Sequence, residues 1–192
     1  NLDAILYGWI LGQETGTAVA DILFGDTNPS GKMPVSVPRS VGNIPAYYNH
    51  KPTARRGNAF ADASPLYAFG EGMSYTAFDI SEPILSSSIM GIDEETSVSV
   101  EITNTGMMAG EEVVQLYIRD KVSSVTRNVK DLKGFKRVSL APGETKTVPL
   151  PIRKESLWFY NLDMERLVEP GEFDIMVGNS SQNVKSVTLT VQ

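Results

Sequence analysis

The densest group of residues able to do chemistry lies between Arg39 and Ser64, where Tyr47, Tyr48, Asn49 and His50 stand together and Arg55 and Arg56 follow. Tyrosine offers a ring face and a hydroxyl, imidazole a donor and an acceptor, and guanidinium a planar fork of donors. That mixture suits a ligand-facing or interface loop. The competing reading is a surface strap that packs its tyrosines onto the domain. Pro45, Pro52, Gly42 and Gly57 argue against regular structure here, and loops of this length are usually functional or mobile.

Other candidates carry less. Glu14 follows an apolar run and opens a helical pattern, where a carboxylate complements the helix dipole; a lone carboxylate is no catalytic pair. Asp26, Asn28 and Ser30 lack the full calcium-loop spacing and read as a turn. Glu111 and Glu112 are adjacent on a strand and therefore point to opposite faces. Trp158, Phe159 and Tyr160 could stack on a ligand's ring, or form an aromatic cluster at a sheet edge. Trp9 sits in an apolar run and reads as core.

Composition narrows the field. The chain has 192 residues, a formal net charge of -6, no cysteine and a single histidine, His50. Acidity disfavours a nucleic-acid footprint, and Asp120 and Asp131 interrupt the Lys/Arg-rich stretch from Arg119 to Arg137. Disulfides, thiolate metal sites and cysteine nucleophiles are excluded, and a Ser-His-Asp triad or histidine metal cluster is nearly so. We expect no metal and no cofactor. No apolar run approaches the roughly 20 residues that span a bilayer, so no membrane partner is expected.

The elements that must position these residues fall into two kinds. Leu2 to Ile10 is a nearly continuous apolar run, the pattern of a strand buried on both faces. A helix is expected from about Gln13 to Phe24, with Ala18, Val19, Ile22 and Leu23 on one stripe and Gly25 as its stop. Met33 to Val37 reads as another strand, with Pro34 and Pro38 suggesting an edge. Such a strand–helix–strand unit is too small to bury both sheet faces. It is expected to complete an α/β domain whose other strands lie upstream, which makes the chain the tail of a longer polypeptide.

From Pro65 to Phe78 (PLYAFGEGMSYTAF) the chain is rich in aromatics and glycine. A flexible linker has nothing to bury; this stretch does, and it reads as a packed seam. Beyond it the period becomes two. Thr96–Thr103, Val113–Ile118, Leu132–Leu140, Thr145–Pro151, Leu157–Tyr160, Glu172–Val177 and Val184–Val191 read as short strands at hairpin-like spacing. That predicts an antiparallel sandwich of immunoglobulin or fibronectin type III kind. The expected division is 1–64 as an incomplete α/β part, 65–78 as the seam and 79–192 as the sandwich.

The blocks GQETGTAVADILFGDTNPSGKMPVSVP, IPAYYNHKP, PLYAFGEGMSYTAFDIS and NTGMMAGEEVVQLYIRDKVSSVTRNVKDLKGFKRVSLAPGETKTV, in this order, resemble the C-terminal portion of family 3 glycoside hydrolases, the β-glucosidase/β-xylosidase group. The resemblance covers essentially the whole chain. It implies an α/β sandwich domain ending near residue 64 and a fibronectin type III-like domain after the seam. It implies a retaining, exo-acting hydrolase of terminal β-linked sugars, with β-linked glucoside or xyloside oligosaccharides as substrates. Retention needs two carboxyl groups about 5–5.5 Å apart. In the family these lie on domains upstream of the matching blocks, so no catalytic residue is carried onto this chain. Tyr48, His50 and Arg55 become candidate substrate contacts, and Glu14 a structural residue near the site. Thr15 and Glu71 stand where the family often has other residues. The resemblance favours a periplasmic or extracellular protein, leaves the cytoplasm open, and implies contacts with upstream domains of the same polypeptide. A homodimer stays open, as do a carbohydrate-binding role for the sandwich and a purely structural one.

Overall fold

The computed structural model describes residues 3–53 and 62–192. From Phe78 onward the strands are β1 (Phe78–Ile80), β2 (Ile84–Leu85), β3 (Ile89–Met90), β4 (Thr96–Asn104), β5 (Gly110–Asp120), β6 (Asp131–Leu140), β7 (Thr145–Ile152), β8 (Phe159–Tyr160), β9 (Arg166–Leu167), β10 (Gly171–Gly178) and β11 (Val184–Val191). In one sheet β4 pairs along its length with β7, while β1 and β2 share its other edge. The second sheet has the order β3-β11-β10-β5-β6. All pairs are antiparallel except β3 with β11, which is parallel.

Alternation builds the core. Val98, Val100 and Ile102 of β4, Val148, Leu150 and Ile152 of β7, and Phe173, Ile175 and Val177 of β10 all point between the sheets and are buried. Side chains of a strand alternate faces, so one apolar face per strand is enough to fill the space between two sheets. Strand β5 departs from this, because every residue from Val113 to Ile118 is buried. Its second face is covered by the seam, and the β5–β6 register shifts between Leu116 and Tyr117.

The aromatic segment Leu157–Tyr160 is not one strand. Lys154–Leu157 (α2) is a helical turn, held where the Arg153 N–H donates to Ser156 Oγ at 3.3 Å. Only Phe159 and Tyr160 pair, with β9.

The N-terminal part differs more from expectation. Helix α1 runs Thr15–Phe24 and ends on Gly25 at φ 84, as its glycine predicts. The apolar run before it forms no strand: Ile5, Tyr7, Trp9 and Ile10 are exposed, Ile10 completely. The reading of a doubly buried strand, and of Trp9 as core, is therefore corrected. A strand needs a ladder partner, and none of the described residues forms a ladder with this run. Met33 to Val37 does not join an α/β sheet either. It runs against the seam, with Met33 N–H donating to Glu71 O, Gly70 N–H to Met33 O and Val37 N–H to Tyr67 O. Pro34 and Pro38 have no N–H to extend that ladder. No helix among the described residues is long and apolar enough to cross a membrane.

Candidate functional site

The loop cluster is organised around Tyr48. Its ring stacks on Phe69 of the seam at 4.2 Å and meets Tyr117 of β5 edge-on at 5.7 Å. Its hydroxyl accepts a hydrogen bond from Leu132 N–H at 3.2 Å. Tyr117 donates to Gln115 Oε1, and the Gln115 amide donates to Gly70 O and Asn179 O at 3.0 and 2.8 Å. Gly70 is the residue that permits this packing. It stands at φ +79, and a Cβ there would lie 2.1 Å from Gln115 Oε1. Burial raises the pKa of both tyrosines, keeping them protonated.

His50 lies on the rim. Its ring Nδ1 is 2.9 Å from Lys51 O, its own carbonyl accepts from Val129 N–H, and its ring meets Tyr47 edge-on. A cavity of about 200 Å³ opens here, lined by Tyr47, Tyr48, His50, Ala63, Pro65 and Lys130 among others. Tyr48 and His50 are thus brought together, with Tyr48 spent mainly on packing. Arg55 lies outside the described residues.

The remaining candidates resolve into structural parts. Glu14 precedes the first turn of α1, exposed and without a side-chain cap. Thr15 Oγ1 donates back to Gly12 O. Asn28 is a clamp: it donates to Ala109 O at 3.0 Å and accepts from Ser74 Oγ and Tyr75 N–H, both at 2.8 Å. Ser30 accepts from Arg137 at 2.7 Å. Glu71 Oε2 accepts the Ala68 N–H at 2.7 Å. Glu111 and Glu112 face opposite ways: Glu111 meets Arg137 and Ser139, while Glu112 is buried against Lys32 at 2.5 Å. The aromatic cluster is capped by arginines, Arg166 at 3.5 Å over Trp158 and Arg127 at 4.4 Å over Phe159. Those ring faces are not open to a sugar.

One group escaped the sequence. Burial raises the Asp120 carboxyl above its ordinary value despite Arg127 at 3.3 Å, and nearby Glu169 adds to that rise. Glu169 itself is held below its ordinary value by the Ser124 side chain and N–H. Carboxyls pushed apart in this way mark acid/base pairs in enzymes. Here they fasten the 121–129 loop to the β9–β10 turn, through Ser123, Ser124 and Arg127. Neither carboxylate lines the cavity at the Tyr48 loop. Nothing in the local pattern of β5 singles out its last residue for this role. Among the described residues there is no group of three or more His, Asp or Glu able to hold a metal.

A family model described as the Glycosyl hydrolase family 3 C-terminal domain matches residues 1–75, and one for a Fibronectin type III-like domain matches residues 112–181. The chain belongs to glycosyl hydrolase family 3. A relative in this family, the periplasmic β-glucosidase of Salmonella typhimurium, is 49% identical over 95% of the chain and 25% of its own length. A β-xylosidase of Formosa agariphila is 46% identical over all of the chain and 27% of its own length. The chain therefore spans about a quarter of the curated relatives it matches. Among solved structures, a β-glucosidase from Erythrobacter marinus superposes with a TM-score of 0.89 at 46% identity, covering 92% of this chain and 24% of its own. The β-glucosidase of Listeria innocua in complex with glucose gives 0.88 at 37% identity, covering 95% and 27%. The mixed architecture, part α/β and part fibronectin type III-like sandwich, is that of the C-terminal portion of family 3 enzymes.

Proposed function

We propose that this chain works as the C-terminal part of a retaining, exo-acting β-glycosidase that removes terminal β-linked glucose or xylose. The observation that carries this reading is similarity over nearly the whole chain, up to 49% identity, to proteins named β-glucosidase and β-xylosidase. The catalytic carboxyls belong to upstream domains. Among the described residues, neither of these two cavities brings two carboxylates together, as retention would require at about 5–5.5 Å. Residues 1–64 complete the α/β domain, 65–78 form the seam, and 79–192 make a stabilising sandwich. The Arg39–Ser64 loop, with Tyr48, His50 and Arg55, faces the outer part of the sugar site. Glu14 is taken as a structural residue near that site. A periplasmic location follows the Salmonella relative, and a homodimer is compatible with the exposed apolar surface.

Kinetics test this. The full-length enzyme should hydrolyse an aryl β-glucoside or β-xyloside, and residues 1–192 alone should not. Turnover by the 192-residue chain would overturn the placement of catalysis upstream. In the full-length enzyme Tyr48→Ala should lower kcat/KM for a disaccharide, on the order of tenfold, because the loop loses its stacking partner and its shape. Unchanged kinetics would reduce the loop to a strap.

A further inference from the structure

The β10–β11 hairpin carries the sequence Asn179-Ser180-Ser181-Gln182-Asn183 and lies against the seam, where Ser181 N–H donates to Phe69 O at 2.9 Å. On one side of Gln182 is the cavity at the Tyr48 loop. On the other is a second cavity of about 380 Å³, lined by Glu71, Gly72, Asn179, Ser180, Gln182 and Asn183. Gln182 lines both. The two cavities adjoin at that side chain, and the trough they make runs from Tyr47 and His50 on one side of the hairpin to Gly72 on the other. The second, at about 380 Å³, already lies within the range of roughly 300–1,000 Å³ typical of ligand sites, and the first adds about 200 Å³.

The chemistry of the lining selects the ligand. The second cavity has no apolar side chain, so it offers nothing to the side chains of an apolar peptide. The lining carries one acidic and one basic side chain, Glu71 and Lys130, each tied to a backbone group. Glu71 Oε2 accepts the Ala68 N–H, and Lys130 Nζ donates to Ser181 O at 2.7 Å. Asn183 Nδ2 donates to Asn179 Oδ1 at 2.8 Å, which sets the Asn183 side chain with its Oδ1 as the remaining acceptor. The Gln182 amide makes no hydrogen bond among the described residues and is exposed. What the trough presents is the pair of amides of Gln182 and Asn183, with a half-exposed Tyr47 ring at one end. Amides donate and accept at once, as hydroxyls do, and a ring face covers the apolar face of a pyranose.

We propose that this trough is a binding cleft for a neutral glycan chain, with Gln182 and Asn183 hydrogen-bonding sugar hydroxyls and Tyr47 packing on a ring. Because the trough starts at the loop assigned above to the outer sugar site, it would hold the far end of a substrate longer than a disaccharide. That kinetic consequence rests on the glycosidase reading; the binding itself does not.

The test has two arms. In the first, the 192-residue chain is titrated with cellotetraose and xylotetraose while backbone amides are followed by NMR. Saturable shifts are expected at Gln182 and Asn183, and none in β4 or β7 on the far sheet. Gln182→Ala should weaken binding roughly three- to tenfold, the loss of one or two hydrogen bonds, with the rest of the spectrum confirming its fold. No saturable shift at the hairpin, unchanged affinity in the variant, or equal affinity for a neutral serine- and glycine-rich peptide would each overturn the proposal. In the second arm, the full-length enzyme carrying Gln182→Ala is assayed on the tetrasaccharide and on an aryl glycoside. The ratio of the two kcat/KM values should fall by a similar factor; an unchanged ratio counts against the cleft. Absence of any aryl glycoside turnover in the wild type would sink the glycosidase reading and leave the titration as the judge of the trough.

Discussion

In β4, β7 and β10 the apolar residue at every second position is sealed between two sheets, while Ile5, Tyr7, Trp9 and Ile10 lie open to solvent. No described residue from 3 to 53 is buried. Both regions are rich in apolar residues, so composition does not explain the difference; the supply of a facing surface does. The sandwich holds both halves of its core within itself. The N-terminal part carries an apolar pattern whose counterpart is absent from the described residues. What fastens it to the sandwich is largely polar, Lys32 to Glu112, Asn28 to Ala109 and Arg137 to Ser30, with the Tyr48 ring against Tyr117 as an aromatic contact. Hydrogen bonds and ion pairs fix register and orientation, but they do not substitute for an apolar core in free energy.

That contrast can be broken most directly by paired truncations. Phe173→Ala removes a ring that is 1% exposed at the centre of the sandwich and should cost about 3–5 kcal/mol in denaturant unfolding. Ile10→Ala in the same chain removes a fully exposed side chain and should change stability by less than about 0.5 kcal/mol. Comparable costs for the two would mean that the apolar run is already engaged. In the full-length enzyme, where we place its partner surface, the Ile10→Ala cost should rise to about 2 kcal/mol or more.

The docking of the two regions is sharpened by Lys32. Its ammonium and the Glu112 carboxylate are 13% and 5% exposed. Lys32→Ala leaves that carboxylate buried without its cation, which should cost about 3 kcal/mol. The loss should appear as faster hydrogen exchange at the Met33 and Gly70 amides, which bridge the segments, with β4 and β7 still protected. Lys32→Met combined with Glu112→Leu should recover most of it, because neither charge then remains in the interior. Exchange that rises equally in β4 would show that the two regions unfold as one.

These elements also show what a sequence can and cannot disclose. The strands β4, β10 and β11 were legible residue by residue, because a period of two is a local pattern that two sheets answer directly. The αL stop at Gly25 was legible for the same reason. Leu2–Ile10 was not: its pattern asks for a doubly covered strand, but whether a strand forms depends on neighbours that the pattern does not contain. The seam was recognisable from its aromatics and glycines. Its partners were not, since Tyr48 stands 21 residues before Phe69 and Gln115 stands 45 residues after Gly70. The trough at Gln182 was invisible, because Asn-Ser-Ser-Gln-Asn reads as ordinary turn chemistry until the hairpin is laid against Gly72.

The smallest expected effect concerns pH. Glu111 and Glu169 are held below the ordinary glutamate value by hydrogen bonds, from Ser139 and Arg137 in one case and Ser124 in the other. Their contributions to stability are present above that ordinary value of 4.5 and are lost as pH falls through the lowered ones. Asp120 acts in the opposite sense. Its pKa is raised by burial from 3.8, so the folded state holds the proton more tightly than the unfolded state does. The stability it contributes is present below 3.8 and is lost as pH rises through the raised value. Asp120→Asn keeps an acceptor for the Val122 N–H and does not titrate. Relative to that variant, the wild type should therefore lose stability as pH is raised through this window. The change should stay under about 1 kcal/mol, since the Arg127 guanidinium opposes the effect of burial. Unfolding midpoints of the two proteins from pH about 3.5 to about 6.5 decide the matter. A constant difference would show that Asp120 titrates alike in both states and that the Arg127 contact fully offsets its burial.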